Sequence, residues 1–508
     1  MRLCDVTMAY NDRSGGIRRY IEEKRRFLRD HTEHEHLLII PGKRDGTTCS
    51  GRQAIVEIES PILPGQDAYR VFTRPDKIGD ALSKYRPDVI ELGSYYLEAW
   101  AAFLHQNQAL ERAERCLVTA YFHTDIAKAL LGAQIRASAH EWFDAWSRTL
   151  AQIGESFAGL AEIGGEKYLA AVFDRCDLVV AGSKSQLDRL RQYGAPPIDL
   201  APLGVDLALF NPAHRSERVR ASHGAGPESL VLVYDGRLTI EKNVSLLIDA
   251  FEILPDHLMA QLWMIGHGPQ IENVKARASH LKGLHLFPYE TDPVRLSELI
   301  ASADIYVTAG PYETFGLSVI EAQASGLPVV GVDAGALRER VPAGLGYLGP
   351  VGDAQSMAAN ILKAAAERAQ MGPRARDYVA HHFSWDETFH SLMACYENRY
   401  QEVFGVLPPA KTAVVKLPAK VAADGAPSIL MLGVVVVGVM LAEAELLAGV
   451  ALGAAATAAP EILRLLALMK RKRRKRHKPL FAAEAEALPH QAPASTDFGR
   501  KTMRSPAN

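Results

Sequence analysis

Over roughly its first 400 residues the chain alternates short apolar runs with amphipathic stretches, and that alternation leaves few folds open. Such a rhythm is the signature of parallel strands joined by crossover helices. Leu3–Met8 reads as a strand, followed by a polar loop that ends in Gly15-Gly16. Ile17, Tyr20, Ile21, Phe27 and Leu28 then share one helical face, with Arg, Lys and Glu between them. Leu37–Ile40, Val89–Leu92, Cys116–Tyr121 and Leu178–Ala181 continue this first series, which ends near residue 200. A second series runs through Leu230–Tyr234, Leu262–Ile265, Leu284–Phe287, Ile305–Thr308 and Val329–Val332. Helical patterns at Val244–Ile253 and Pro293–Ser302 lie between its strands, and helices over Ala354–Ala369 and Trp385–Val403 close the globular part. The predicted class is α/β: two doubly wound parallel-sheet domains, 1–200 and 201–384, facing a cleft. A chain of 508 residues has room for both.

Ligands of such sheets bind beyond the carboxyl ends of the strands, and four features fall there. Gly236-Arg237 to Glu241-Lys242-Asn243 follows one strand and precedes a helix, placing two cations where free N–H groups also point; the set suits a pyrophosphate. Alternatively the loop is simply solvated. Pro311 to Ala322 follows the strand Ile305–Thr308. Glu313 is expected on the loop, facing the cleft, and Glu321 about two turns along a helix that starts near Gly316. Carboxylates there can accept hydrogen bonds from adjacent hydroxyls, and the N–H groups of Phe315, Gly316 and Leu317 can receive phosphate oxygens. The bland reading is one loop glutamate and one helix-surface glutamate. Gly15-Gly16 opens the first helix and lets a ligand approach backbone. Last, His123 in His123-Thr124-Asp125 ends a strand, able to donate to a sugar hydroxyl or shuttle a proton, although a lone histidine there is more often structural.

Taken in order, SGGIRRY, HTD at 123–125, PLGVDLALFNP at 202–212, GRLTIEKN at 236–243, IGHGP at 265–269 and YETFGLSVIEAQASGLPVV at 312–330 resemble the retaining glycosyltransferases of family 4. The resemblance spans roughly residues 1–400 and implies the GT-B fold; FSWDETFHSLMACY at 383–396 looks like the helix, placed at 385–404, that returns to the N-terminal domain. It implies a nucleotide-sugar donor, a GDP- or UDP-hexose, and transfer of mannose, glucose or galactose. Arg237 and Lys242 would hold the donor diphosphate, Glu313 the hexose, Glu321 the ribose, Gly16 would lie beneath the diphosphate, and His123 would touch the hexose. It further implies no essential metal, no cofactor and no protein nucleophile. His267 departs from the pattern, standing where an acidic residue is frequent. A nucleotide-sugar epimerase of the same fold, or an inactive membrane-tethered sugar-binding protein, would be the alternatives.

Formal net charge is −2, so no global field argues for nucleic acid. Cys4, Cys49, Cys116, Cys176 and Cys395 lie at neither metal-ligand nor redox spacing, as in a reducing compartment. No leader peptide is visible before the first strand, which suggests a cytoplasmic catalytic body. The C-terminus has a different character. A linker, 405–427, leads to an apolar segment, 428–469, and then to 470–508, which opens with KRKRRKRHK. Basic residues flank the apolar segment on both sides, so two crossings or none are expected, with the basic run on anionic headgroups. A membrane-associated helical hairpin would place the enzyme at the cytoplasmic face of the inner (plasma) membrane, acting on a lipid or glycan acceptor. A helical appendage packed on protein is the competing reading.

Overall fold

The computed structural model describes residues 1–11, 15–63, 66–125 and 163–409. The chain divides after Ala444, and every described residue belongs to the first unit. The apolar segment and basic run, with the linker beyond Pro409, lie outside the described residues, and among those described no helix is long and apolar enough to cross a membrane.

Eight strands form the first sheet: β1 (Arg2–Val6), β2 (Glu35–Gly42), β3 (Gly46–Ser50), β4 (Gln53–Glu59), β7 (Val89–Leu92), β8 (Leu117–Tyr121), β9 (Leu178–Ala181) and β10 (Ile198–Leu200). Their order is β10-β9-β8-β7-β1-β2-β4-β3, parallel except for the β3–β4 hairpin; β5 (Ile62–Leu63) and β6 (Gln66–Arg70) make a separate ribbon. The second sheet is wholly parallel. It contains β11 (Val231–Asp235), β12 (Gln261–Ile265), β13 (Leu284–Phe287), β14 (Ile305–Val307), β15 (Val329–Val332) and β16 (Gly346–Gly349), ordered β13-β12-β11-β14-β15-β16. In each sheet the first strand lies inside, with later strands added on both sides, so the order reverses beside β1 and beside β11. A crevice opens at such a reversal.

Two readings of the sequence need correction. The helix expected over Ala354–Ala369 continues to His382, through Gly372-Pro373. A proline inside a helix sacrifices one backbone bond, yet packing prevails here: Gly372 lies so close to the Gly326 carbonyl that a Cβ would stand 2.2 Å from it. The β3–β4 hairpin was not expected either. Gly46–Ser50 is mostly exposed and has no apolar run to announce it.

The first helix, Gly16–His31, buries Tyr20, Ile21, Phe27 and Leu28 as its periodicity requires, and also Lys24. The Lys24 ammonium, fully buried, lies 2.7 Å from Asp5 on β1 and 3.1 Å from Glu91 on β7. Tyr20 donates to Glu91 at 3.0 Å, and Tyr396 of the closing helix, Trp385–Phe404, donates to the other oxygen. Phe389 of that helix packs against Tyr20 and Phe27. A buried charge is tolerable only when paired and hydrogen-bonded; here the pairing ties two central strands to two helices that are far apart in sequence.

Burial also lowers the His36 imidazole, 3.2 Å from Asp5, to about 4 from an ordinary 6.5. Burial would raise Asp5, but Lys24 and His36 outweigh it and hold the carboxyl well below the usual range. Both groups bind protons more readily in the unfolded chain, so stability is present near neutrality and is lost as pH falls. The urea midpoint is expected to drop as pH falls from 6.5 to 4, and more shallowly in His36→Gln. Equal slopes in the two proteins would show that His36 carries no part of the transition.

Candidate active site

Each loop singled out in the sequence leaves the carboxyl end of a strand, and three of those strands, β1, β11 and β14, border a reversal. Asp235 ends β11, and the chain passes through Gly236 and Arg237 into a short turn, Ile240–Lys242, before the helix Val244–Glu252. This loop lies on the Gly266-His267-Gly268 turn: Leu238 N–H donates to His267 O and Gln270 N–H to Leu238 O. A Cβ on Gly266 would stand 1.9 Å from Gly236 O, so only glycine allows the approach.

Arg237 is paired with Glu241 at 2.9 Å and Lys242 with Glu313 at 2.6 Å. Burial alone would raise the Glu313 carboxyl; Lys242 and the Gly316 N–H outweigh it and hold it ionised, below its ordinary value. Gly316, with φ 85°, precedes the helix Leu317–Ala324. Its N–H donates to Glu313 at 3.2 Å, so this amide is engaged rather than open to phosphate as expected. The N–H groups of Phe315 and Leu317 have no acceptor among the described residues.

The two domains meet at this helix start. A Cβ on Gly16 would lie 3.5 Å from the Leu317 side chain, which sets the amino ends of the helices Gly16–His31 and Leu317–Ala324 side by side. Both ends carry unpaired N–H groups and partial positive charge. Thr314 donates to His123 O at 2.7 Å, Ser183 to Thr314 O at 2.9 Å and Arg340 to Gly182 O at 3.1 Å.

His123 lies half-buried against rings, stacked on Tyr121 at 4.4 Å and edge-on to Tyr20 at 4.8 Å. Burial lowers its pKa to about 3. The imidazole is therefore neutral near pH 7, with one ring nitrogen a donor and the other an acceptor.

Glu321 is buried, 3% exposed, and bound to the Arg19 guanidinium across the cleft. Sequence reasoning passed over Arg19, whose place in Ile17-Arg18-Arg19-Tyr20 looks like a solvated helix face. It lies over the Phe210 ring and near Asp235, whose carboxyl burial raises to about 6 against the pull of Arg19. No local signal marks Asp235 either.

Two facing parallel-sheet domains with cations and helix ends at the shared crevice define a GT-B glycosyltransferase. The family model described as Glycosyltransferase Family 4 matches residues 14–209, and that described as Glycosyl transferases group 1 matches residues 215–378. A GDP-mannose-dependent alpha-(1-6)-phosphatidylinositol dimannoside mannosyltransferase of Mycobacterium tuberculosis is 30% identical over 353 residues, 68% of this chain and 83% of that protein. A GDP-mannose-dependent alpha-mannosyltransferase of Mycolicibacterium smegmatis is 29% identical over 76% of this chain and 93% of its own length. The solved sucrose-phosphate synthase of Thermosynechococcus elongatus superposes with a TM-score of 0.60 at 19% identity, covering 80% of this chain and 99% of that one. The chain belongs to the family 4 glycosyltransferases. It is a hexosyltransferase, and neither the epimerase nor the inactive binding protein is needed to explain it.

The Arg19–Glu321 contact has a measurable consequence. A double-mutant cycle in urea on Arg19→Ala and Glu321→Ala is expected to give a coupling of about 1–3 kcal/mol, since contacting charges are not additive. Additivity within about 0.5 kcal/mol would show that the pair adds nothing to the folded state.

Proposed function

We propose that this enzyme transfers mannose from GDP-mannose, with retention of configuration, to a lipid-held glycan at the cytoplasmic face of the plasma membrane. The observation that carries the reading is the convergence on one crevice of Arg237, Lys242 and two helix amino ends. Transfer breaks the bond between the sugar's anomeric carbon and the diphosphate, leaving positive charge on the sugar and negative charge on phosphate. Donors already aimed at that phosphate stabilise the transition state more than the ground state.

In this scheme Arg237, Lys242 and the Phe315 and Leu317 amides receive the diphosphate, with Gly16 beneath it. Glu313, kept ionised by Lys242, accepts hydrogen bonds from hexose hydroxyls. Glu321 takes the ribose once Arg19 releases it. Neutral His123 donates to the hexose near the reacting carbon. Two side-chain cations do the work that a divalent ion would otherwise do, so neither metal nor cofactor enters. The names of the two mycobacterial relatives support mannose and GDP, and that of the first supports a lipid acceptor. The apolar segment and basic run support the membrane location, the run adding about 1 kcal/mol per Lys or Arg at an anionic surface.

Arg237→Ala, Lys242→Ala and Glu313→Ala are each expected to lower turnover at saturating donor by ~100–1000-fold while thermal unfolding stays cooperative. Near-normal turnover in both cation variants would remove the diphosphate assignment. Transfer is also expected to persist in a strong chelator; loss on chelation, restored by Mg²⁺ or Mn²⁺, would overturn the metal-free scheme. GDP at a hundred times its Kd should stabilise the protein by about 2.7 kcal/mol, more than UDP does at the same concentration. A larger gain from UDP would exclude GDP-mannose as the donor.

A further inference from the structure

At the opposite end of the first sheet, the amino ends of β1, β7 and β8 border a cleft of about 330 Å³. Arg2, Arg86, Arg115, Asp88, Glu114 and His105 line it, and Tyr400 of the closing helix forms one side. The donor loops leave the other ends of these strands. A strand rises ~3.3 Å per residue, so the five residues of β1 alone put ~17 Å between the two sites. No residue of this cleft takes part in the donor chemistry.

Two nitrogens here have no hydrogen-bond partner among the described residues, His105 Nδ1 and Arg2 Nε. His105 is 2% exposed, on the helix Leu97–Glu111. A buried polar atom left without a partner is costly, and both atoms belong to side chains that line the cleft. Burial lowers the His105 imidazole to about 4, so near neutrality it carries one N–H and one lone pair.

Positive charge prevails on the walls. The buried Asp88 carboxylate is occupied by the Arg2 backbone N–H at 2.6 Å. Glu114 is shared between Arg86 at 3.4 Å and Arg112 at 3.0 Å. Arg115 is exposed and makes no ion pair among the described residues. Fork-shaped guanidiniums lining one cleft with a neutral imidazole fit a tetrahedral oxyanion better than a neutral solute.

We propose that this cleft is a second anion site, which holds a phosphate group through Arg2, Arg86 and Arg115 with His105 donating from the buried side. The path of the chain favours a lipid headgroup as the source. Pro409 O accepts from the Met1 amino group at 3.0 Å, so the last described residue lies against the start of β1, next to Arg2. Residues 410–427 then reach at most ~60 Å even when extended before the apolar segment begins. A phosphate held here would orient the first domain on the surface that carries the acceptor.

The test uses the full chain carrying Arg237→Ala and Lys242→Ala, so that the donor site does not compete. Inorganic phosphate and glycerophosphoglycerol, a deacylated headgroup, are titrated by calorimetry in chloride buffer. Binding is expected, and the further changes Arg86→Gln and Arg115→Gln, both at exposed positions, should weaken it at least tenfold. Alone, those two changes should leave turnover with a detergent-solubilised acceptor unchanged. No binding, or equal binding with and without the two arginines, overturns the site. Tighter binding of glycerophosphoglycerol supports the headgroup source, whereas binding of inorganic phosphate alone overturns that source and assigns the site to free phosphate. Because the donor site is disabled throughout, failure here leaves the proposed transfer reaction standing.

Discussion

A guanidinium from one domain neutralises a buried carboxylate of the other. Arg19 stands in the first turn of the first helix, and Glu321 in the helix that opens the donor site. Burying Glu321 alone would be costly, so the pair couples the charge state of the crevice to the meeting of the two domains. The same carboxylate is the one proposed to meet ribose. In that proposal donor binding and domain contact draw on one group, Glu321.

Behind Arg19, the first helix is held by the Lys24–Asp5–Glu91 cluster, and Tyr396 of the closing helix enters the same cluster. Tyr20 links this network to the crevice, since its hydroxyl meets Glu91 and its ring supports His123. The rings against His123 thus come from β8 and the first helix. The last described helix has a physical effect here: its Phe389 packs on Tyr20 and Phe27 of the first helix.

Much of this was legible locally. Val89–Leu92, Leu178–Ala181 and Val329–Val332 appear as strands at those very residues, because parallel strands flanked on both sides are buried on both faces and read as unbroken apolar runs. Arg237, Lys242 and Glu313 were singled out for their place at strand-to-helix turns, although a solvated loop would explain the same charges. What stayed hidden depends on distant partners. Arg19 meets a carboxylate 302 residues away, and inside an Arg-Arg pair on an amphipathic helix nothing in the sequence distinguishes it from Arg18. The protonation of His123 is set by rings from elsewhere in the chain, not by the HTD triplet. The helix that runs on to His382 crosses a Gly-Pro pair that local propensity reads as a stop, and only its contact with Gly326 shows why it continues.

The central claim is that the donor diphosphate rests between the two helix amino ends, against Arg237 and Lys242. A structure of the protein with GDP bound tests it most directly. The account places diphosphate oxygens within hydrogen-bonding distance of Arg237, Lys242 and the Leu317 amide, with the ribose at Glu321 and Arg19 turned away from that carboxylate. A diphosphate bound away from these groups, or a ribose bound while Arg19 keeps its hold on Glu321, would contradict it.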